Sequence, residues 1–257
     1  MIQALLWDVD GTLAETERDG HRVAFNRAFD DLGLRWCWDE ARYGELLRVT
    51  GGRERLLADM ATRGDAPVGA AAREALARDI HACKNRHYAA LVLDPGIALR
   101  EGVQALLDEA RARGLRQAIV TTTSRDNVES LMRSTLGRRW QDGFEVVVCG
   151  EDVRDKKPAP EAHERALAAL RLSPLECLAI EDSPGGAAAA RAAEVPVVVT
   201  RSHYFADAAV DGAIAIGPGL HARRGWRPAC EHGDDGAVGL RELEAWHASA
   251  DCVSSFD

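Results

Sequence analysis

Two aspartates, Asp8 and Asp10, stand two residues apart in the stretch LLWDVDGT, directly after an apolar run. Carboxylates this close repel each other, and burying an unpaired one is costly. A bound cation would relieve both penalties. The stretch therefore predicts a cation site at the end of a first buried strand.

Three further polar clusters follow strand-like runs, and all four belong to the same predicted edge of a sheet. They are TTTS (121–124), DKKP (155–158) and EDS (181–183). Open parallel sheets bind ligands beyond the carboxyl ends of their strands. We therefore expect the four clusters to meet at one site.

The residue types in these clusters suit transfer of a phosphoryl group. Asp8, Asp10 and Asp182 offer oxygen ligands to Mg²⁺, which commonly binds a few carboxylates, water and substrate phosphate. Lys157 offers a positive charge to phosphate oxygens, and Thr122 a hydroxyl donor. An aspartate can attack phosphorus directly, and a second can protonate the leaving alkoxide and later deprotonate the attacking water.

Each cluster also has a simpler interpretation. DVDGT could be read as a calcium loop, but the EF-hand pattern needs a third acid where Thr12 stands and a helix before it. Ser183 and Ser124 precede helical patterns and are typical N-caps. The occurrence of all the clusters in this order, each near a strand end, favours the phosphoryl-transfer site.

The elements that must position these residues alternate between strand and helix. Apolar runs of strand length lie at 2–7, 116–121, 144–148, 177–180, 196–200 and 212–216, and helical patterns lie at 103–114, 161–172 and 185–194. This alternation predicts an α/β fold with a doubly wound, Rossmann-like parallel sheet. Four helical patterns without strands follow the first strand, the last spanning 68–93. We expect an α/β core of residues 1–13 and 94–257 and an inserted helical cap domain of residues 14–93.

Composition limits the possible partners. A net charge of −9 argues against a nucleic-acid or anionic-membrane surface, and no apolar stretch approaches the length of a membrane span. The six cysteines show no metal-binding spacing and are typical of a reducing compartment. We expect a cytoplasmic protein with a small-molecule substrate, and nothing implies a protein partner. The tail after Gly217 indicates loop and one short helix near 240–248.

With these residues the chain resembles the haloacid dehalogenase superfamily of aspartate-nucleophile phosphotransferases, whose four motifs match DVDGT, TTTS, KP and ED. The insert resembles the helical cap of that family. AETE, HRVAFNRAF, TGGRER and IHACK further resemble the CbbY group. Its characterised members hydrolyse xylulose 1,5-bisphosphate, an inhibitor of Rubisco, to xylulose 5-phosphate.

The resemblance implies roles for the clusters. Asp8 is the nucleophile, Asp10 the acid and base and a metal ligand through its backbone, and Asp182 the other metal ligand. Mg²⁺ is the implied cofactor, with its water held by Glu181. Thr122 and Lys157 hold the transferring phosphate. The candidate substrate-binding residues are Glu17, His21, Thr50, Gly51, Gly52, Arg53, His81, Lys84, Thr123 and Ser124.

Two positions differ from the pattern expected of this group. Arg53 stands where lysine is expected, which keeps the charge and adds bidentate geometry. The segment between Glu17 and His21 is one residue longer than expected. On a regular helix one extra residue rotates all later side chains by about 100° around the helix axis.

Three functions remain open at this stage. The first is a Mg²⁺-dependent sugar-bisphosphate phosphatase. The second is a phosphosugar mutase resembling β-phosphoglucomutase, which shares the motifs and a similar cap. The third is a non-catalytic regulator that binds sugar phosphates, although such a protein needs neither Asp8 nor Asp10.

Overall fold

The chain forms a six-stranded parallel sheet with helices on both faces, which confirms the predicted fold class. The computed structural model describes residues 1–230, 233 and 235–253. For residues 95 and 250–253 it describes the backbone alone. The strands lie in the order β3-β2-β1-β4-β5-β6. They are β1 (Ala4–Trp7), β2 (Arg116–Val120), β3 (Val146–Val148), β4 (Cys177–Glu181), β5 (Val197–Thr200) and β6 (Ala215–Gly217).

Nine α-helices occur in the described residues. They are α1 (Arg22–Asp31), α2 (Glu40–Leu46), α3 (Gly52–Thr62), α4 (Ala70–Leu91), α5 (Val103–Ala112), α6 (Arg125–Leu136), α7 (Glu161–Leu170), α8 (Pro184–Ala192) and α9 (Leu240–Val253). Each of the predicted strands and helices has a counterpart here, with ends shifted by a few residues.

The central strand β1 supplies both faces of the core because successive side chains point to opposite sides. Leu5 and Trp7 belong to one hydrophobic cluster, with α5 and α6, and Ala4 and Leu6 belong to the other, with α7 and α8. All four side chains are buried. Because β1 pairs with β2 and β4, its end is the middle of the sheet edge.

Between β1 and α5 lies a helical insert, which we define as residues 17–96, including α1 to α4. It has its own aromatic core, in which Trp38 packs edge-on against Phe29 with ring centroids 5.0 Å apart. The Trp38 indole also donates a hydrogen bond to buried Asp59. Trp36 and Trp38 are therefore core residues of the insert.

Both ends of the insert are wide π-type turns, which the sequence pattern did not indicate. Glu17–His21 forms the first, closed by a hydrogen bond from the backbone N–H of Arg22 to the carbonyl of Glu17. Val92–Gly96 forms the second and returns the chain to the core. Wide turns of this kind accommodate an extra residue and occur often at functional sites.

The C-terminal segment packs back on the core. Trp226 stacks on Trp246 of α9 with ring centroids 4.6 Å apart, and α9 extends five residues beyond its predicted end at 248. Residues 254–257, which the sequence assigns to the core, lie outside the described residues. In the described part of the chain, no helix is both long and apolar enough to cross a bilayer.

Candidate active site

Lys157 joins the carboxyl ends of three adjacent strands. Its ammonium donates hydrogen bonds to Asp8 Oδ1 at 2.8 Å, to Glu181 Oε1 at 2.5 Å and to the carbonyl of Val120 at 2.8 Å. Asp8 directly follows β1, Glu181 ends β4 and Val120 ends β2. The lysine is buried, and its two carboxylate partners raise its pKa against the opposing effect of burial. It is therefore a fixed positive charge beside Asp8.

Asp8, Glu181 and Asp182 form a buried acidic cluster, with ligand oxygens all within 4.8 Å of one another. Burial, together with the charges of the neighbouring carboxylates, raises the pKa of Asp8 and of Asp182 above the ordinary value. Lys157 contacts two of the three acids, and Ser202 donates a hydrogen bond to Asp182 at 2.5 Å. With all three acids ionised, the single lysine would leave excess negative charge in the cluster.

The donor atoms of this cluster suit Mg²⁺. One carboxylate oxygen, Glu181 Oε2, is buried and has no hydrogen-bond partner among the described residues. Hard oxygen donors in a site with uncompensated negative charge are the environment that Mg²⁺ prefers. Two glycines leave room for these carboxylates: a side chain at Gly11 would overlap that of Asp182, and one at Gly186 would overlap Glu181. Gly11 also has φ of 89°, which disfavours other residues.

Asp10 is held by residues that precede α1. Its Oδ1 accepts hydrogen bonds from Thr16 at 2.5 Å and from His21 Nε2 at 2.9 Å. Burial alone would raise the pKa of Asp10, but the His21 charge and these hydrogen bonds lower it to about 2. The His21 ring stacks on Tyr88 at 4.2 Å between centroids, which fixes its orientation. Asp10 is thus ionised and held in place without substrate.

The wide turn keeps Glu17 and His21 on the same side of the chain. Both line the cavity that lies between the helical insert and the sheet, which is described below. Glu17 accepts a 2.5 Å hydrogen bond from the Tyr43 hydroxyl, which in turn accepts one from Arg55 at 2.9 Å. Glu17 and His21 stand at the two ends of one π-type turn, which is wider than an α-helical turn.

A cavity of about 440 Å³ lies between the helical insert and the carboxyl ends of the strands, which is within the usual range for small-ligand sites. The predicted residues that line it are Asp10, Glu17, His21, Gly51, Gly52, Arg53, His81, Lys84, Thr122, Thr123 and Ser124. Thr50 is not among the lining residues, and neither are the buried Asp8, Lys157, Glu181 and Asp182. Ser124 is at the N-cap of α6 but makes no capping hydrogen bond, whereas Ser183 caps α8.

Lys84 reaches the cavity from α4 as a desolvated cation. Its ammonium lies 5.3 Å from the ring centroid of Phe25 and 4.9 Å from that of Tyr88. Among the described residues these ring contacts are its partners, and it has no hydrogen bond or ion pair within the usual distance limits. Burial lowers its pKa to about 7, against the opposing charges of Asp10 and Glu17. Two aromatic faces thus hold an ammonium that an anionic ligand could pair with.

Arg55 is a site residue that the sequence reasoning missed. It is 6 % exposed, lines the cavity and lies 3.9 Å from Glu17, whereas Arg53, two residues earlier, is exposed at the rim. Both arginines stand in the first turn of α3, after Gly51 and Gly52. This position next to the glycine pair is the sequence feature that could have indicated Arg55. Which of them faces inward depends on how α3 packs in the insert, mainly against α4.

A second missed contact joins the insert to the core. Lys156, the neighbour of Lys157, donates a 2.8 Å hydrogen bond to Glu54 of α3, and both residues line the cavity. Asn85 of α4 contacts Ser124 and Asn127 across the same gap. These polar contacts join the helical insert to the loops that follow β2 and β3.

Comparisons with known proteins agree with this geometry. A family model described as haloacid dehalogenase-like hydrolase matches residues 2–194. Protein CbbY of Rhodobacter capsulatus is 45% identical over 203 residues, covering 79% of this chain and 87% of that protein. The plasmid-borne CbbY of Cupriavidus necator is 41% identical over 251 residues, covering 96% and 97%.

A solved structure has the same architecture. It is an Asp-to-Asn variant of CbbY from Rhodobacter sphaeroides in complex with xylulose 1,5-bisphosphate. It matches with a TM-score of 0.77 and 40% sequence identity, covering 83% of this chain and 92% of that one.

Proposed function

The chain belongs to the haloacid dehalogenase-like hydrolases and is a phosphatase, and we propose that it hydrolyses a sugar bisphosphate with the help of Mg²⁺. The substrate that we propose first is xylulose 1,5-bisphosphate, the compound bound in the structure of the related CbbY. The observation that carries the proposal is the placement of cations at two places, beside Asp8 at the strand ends and on the insert wall of the cavity. Asp8 and Lys157 lie at the strand ends, and Lys84 and Arg55 belong to the insert side.

Asp8 is the proposed nucleophile. Its carboxylate attacks phosphorus, the bond from phosphorus to the ester oxygen breaks, and an aspartyl-phosphate forms on Asp8. Lys157 Nζ lies 2.8 Å from Asp8 Oδ1, so its positive charge would stabilise the negative charge on the oxygens of the phosphoryl group that Asp8 attacks. The Thr122 hydroxyl, two residues after the end of β2, is the proposed neutral donor to the same group.

Asp10 is the proposed acid and base. Ionised in the free protein, it takes up a proton when the negatively charged phosphate binds, because a nearby like charge raises the pKa of a carboxyl. It gives this proton to the leaving alkoxide. It then removes a proton from the water that attacks the aspartyl-phosphate, which releases phosphate and restores Asp8.

The acidic cluster is the proposed metal site. Asp8 and Asp182 would hold Mg²⁺. From the resemblance, the backbone carbonyl of Asp10 would be a further ligand and Glu181 would hold metal-bound water. The metal would supply positive charge to the phosphoryl group during transfer. The excess carboxylate charge of the cluster and the unpartnered Glu181 oxygen support this assignment.

The second phosphate requires a separate anchor. The protein carries a net charge of −9, so that anchor must be a local group of cations. Lys84 and Arg55 are buried cations that line the cavity, and Arg53 lies at its rim. A substrate with a phosphate at each end could pair with Lys157 at one end and with these cations at the other.

Phosphate release and product analysis test the proposal. We expect xylulose 1,5-bisphosphate to be hydrolysed to xylulose 5-phosphate with kcat/KM at least about a hundredfold above that for sugar monophosphates. Activity should vanish in EDTA, return with Mg²⁺ and be absent in Asp8→Asn. Isomerised sugar phosphate without phosphate release would indicate a mutase instead. Activity that persists in EDTA or in Asp8→Asn would refute the mechanism.

A further inference from the structure

Asp31, Cys83 and His87 form a second cluster of metal-binding side chains, on the helical insert. Cys83 and His87 are four residues apart on α4 and so share one helix face. Asp31 is the last residue of α1. None of the three lines the catalytic cavity, which α4 reaches with a different pair, His81 and Lys84.

The three ligand atoms are already close together. His87 Nε2 lies 2.7 Å and Cys83 Sγ 3.6 Å from the same oxygen, Asp31 Oδ2. All three atoms lie within 4.8 Å of one another. In a tetrahedral zinc site, metal–ligand bonds of about 2.0–2.3 Å place ligand atoms about 3.3–3.6 Å apart. Small side-chain rotations would bring this cluster to that geometry.

The donor set selects the kind of metal. A thiolate, an imidazole and a carboxylate together suit zinc, whereas Mg²⁺ and Ca²⁺ prefer oxygen ligands alone. Cys83 is buried, His87 is partly buried and the side chain of Asp31 is 56% exposed. The cluster therefore has a dry side that holds the sulfur and an open side where water can complete the coordination.

We propose that Asp31, Cys83 and His87 bind one zinc ion that joins the end of α1 to α4. On binding, Cys83 loses its thiol proton to solvent, His87 binds as neutral imidazole through Nε2, and Asp31 binds through a carboxylate oxygen. The ion replaces the two hydrogen bonds that Asp31 now accepts. No cysteine spacing in the sequence indicates this site, because the third ligand comes from another helix.

Binding at this site stabilises the insert. The ion would tie together two helices that also position the active site: α1 begins directly after His21, and α4 carries Lys84. A ligand that binds only the folded protein raises the free energy of unfolding. Zinc should therefore raise the melting temperature of the Mg²⁺-saturated protein, whether or not substrate is present.

Cobalt(II) reports this site separately from the catalytic one. The full-length protein is reduced, stripped with a chelator, supplied with excess Mg²⁺ and titrated with Co²⁺ without oxygen. We expect one equivalent of Co²⁺ to give a thiolate-to-cobalt charge-transfer band, which Zn²⁺ then removes. Asp8, Glu181 and Asp182 contain no sulfur, so metal in the acidic cluster cannot give this band.

Three variants complete the test. Cys83→Ala should abolish the band. His87→Ala, at a partly exposed position that leaves the core intact, should weaken Co²⁺ binding by at least the roughly 10- to 100-fold that loss of a supporting group costs. Cys37→Ala, an exposed cysteine of the same insert, should leave the band and the affinity unchanged. The proposal is overturned by the absence of the band in the wild-type protein, by its survival in Cys83→Ala, or by unchanged affinity in His87→Ala.

Discussion

His21 Nε2 lies 2.9 Å from Asp10 Oδ1, and the His21 ring stacks on Tyr88 at 4.2 Å. The proposed acid and base is thus oriented by a histidine of the insert, which is itself oriented by a tyrosine of α4. This arrangement couples the proton-transfer residue of the core to the helices that would cover the substrate.

Replacing His21 should therefore slow catalysis more than it weakens binding. His21→Ala removes a charge-assisted hydrogen bond, worth about 1.5–3 kcal/mol, and we expect kcat to fall about 10- to 100-fold. His21→Gln can donate from a similar position and should recover part of the loss. The measurement is kcat and KM for both variants. A raised KM at unchanged kcat would assign His21 to substrate binding alone.

Lys84 predicts a pH dependence. Burial lowers its pKa to about 7, so the free protein loses this positive charge as the pH rises above that value. If the ammonium pairs with a substrate phosphate, kcat/KM for a bisphosphate should fall by up to about tenfold per pH unit above pH 7. In Lys84→Met the rate should be lower at pH 6, and this decline should be absent. Identical profiles for the two proteins between pH 6 and 9 would contradict the role of Lys84.

The site residues at the strand ends were predictable from the sequence. Which side of each helix faces the site was not. Asp8 and Asp182 could be placed together because parallel strands end at the same edge of a sheet, whatever the side-chain packing. The inward orientation of Arg55 rather than Arg53 depends on how α3 packs in the insert, mainly against α4. The sequence is compatible with either.

The wide turn before α1 was also not predictable from the sequence, because it too depends on tertiary packing. An extra residue between Glu17 and His21 can rotate the following helix or widen one turn, and the local sequence does not decide between them. Here Gly20 packs against Tyr88 and Ile97, and this tertiary contact leaves His21 beside Asp10. A contact between residues far apart in the chain is invisible to a pattern of neighbouring residues.

Gly20→Ala tests that contact. A Cβ at Gly20 would lie 2.8 Å from Ile97 Cδ1 and 3.1 Å from Tyr88 Cε2. Ile97 can move, but the buried Tyr88 ring cannot move without disturbing His21, so we expect a net loss of about 1 kcal/mol in unfolding free energy and a reduced kcat. Gly64→Ala is the matched control, because nothing lies within 4 Å of the position that the new Cβ would take. Urea unfolding and kcat measure both effects, and equal behaviour of the two variants would show that the turn has spare room.

The two arginines of α3 give the sharpest test of the second phosphate anchor. Arg53 is one of the candidates from the sequence, but it is exposed at the rim while Arg55 is buried in the cavity wall. Arg55→Met should lower kcat/KM for a sugar bisphosphate by about 10- to 100-fold, because a charge-assisted pair with phosphate is worth about 1.5–3 kcal/mol. Arg53→Met should cost about fivefold or less, since exposed pairs contribute up to about 1 kcal/mol.

An aryl monophosphate separates substrate recognition from folding in this experiment. It has no second phosphate, so its hydrolysis should be little affected by Arg55→Met if Arg55 is an anchor. Arg63→Met, at the other end of α3 and away from the cavity, controls for the general loss of an arginine from the insert. Equal losses on both substrates would mean that Arg55 acts by holding Tyr43 and Glu17 in place. No loss on either substrate would leave Lys84, the other buried cation among the described residues that line the cavity, as the anchor of the second phosphate.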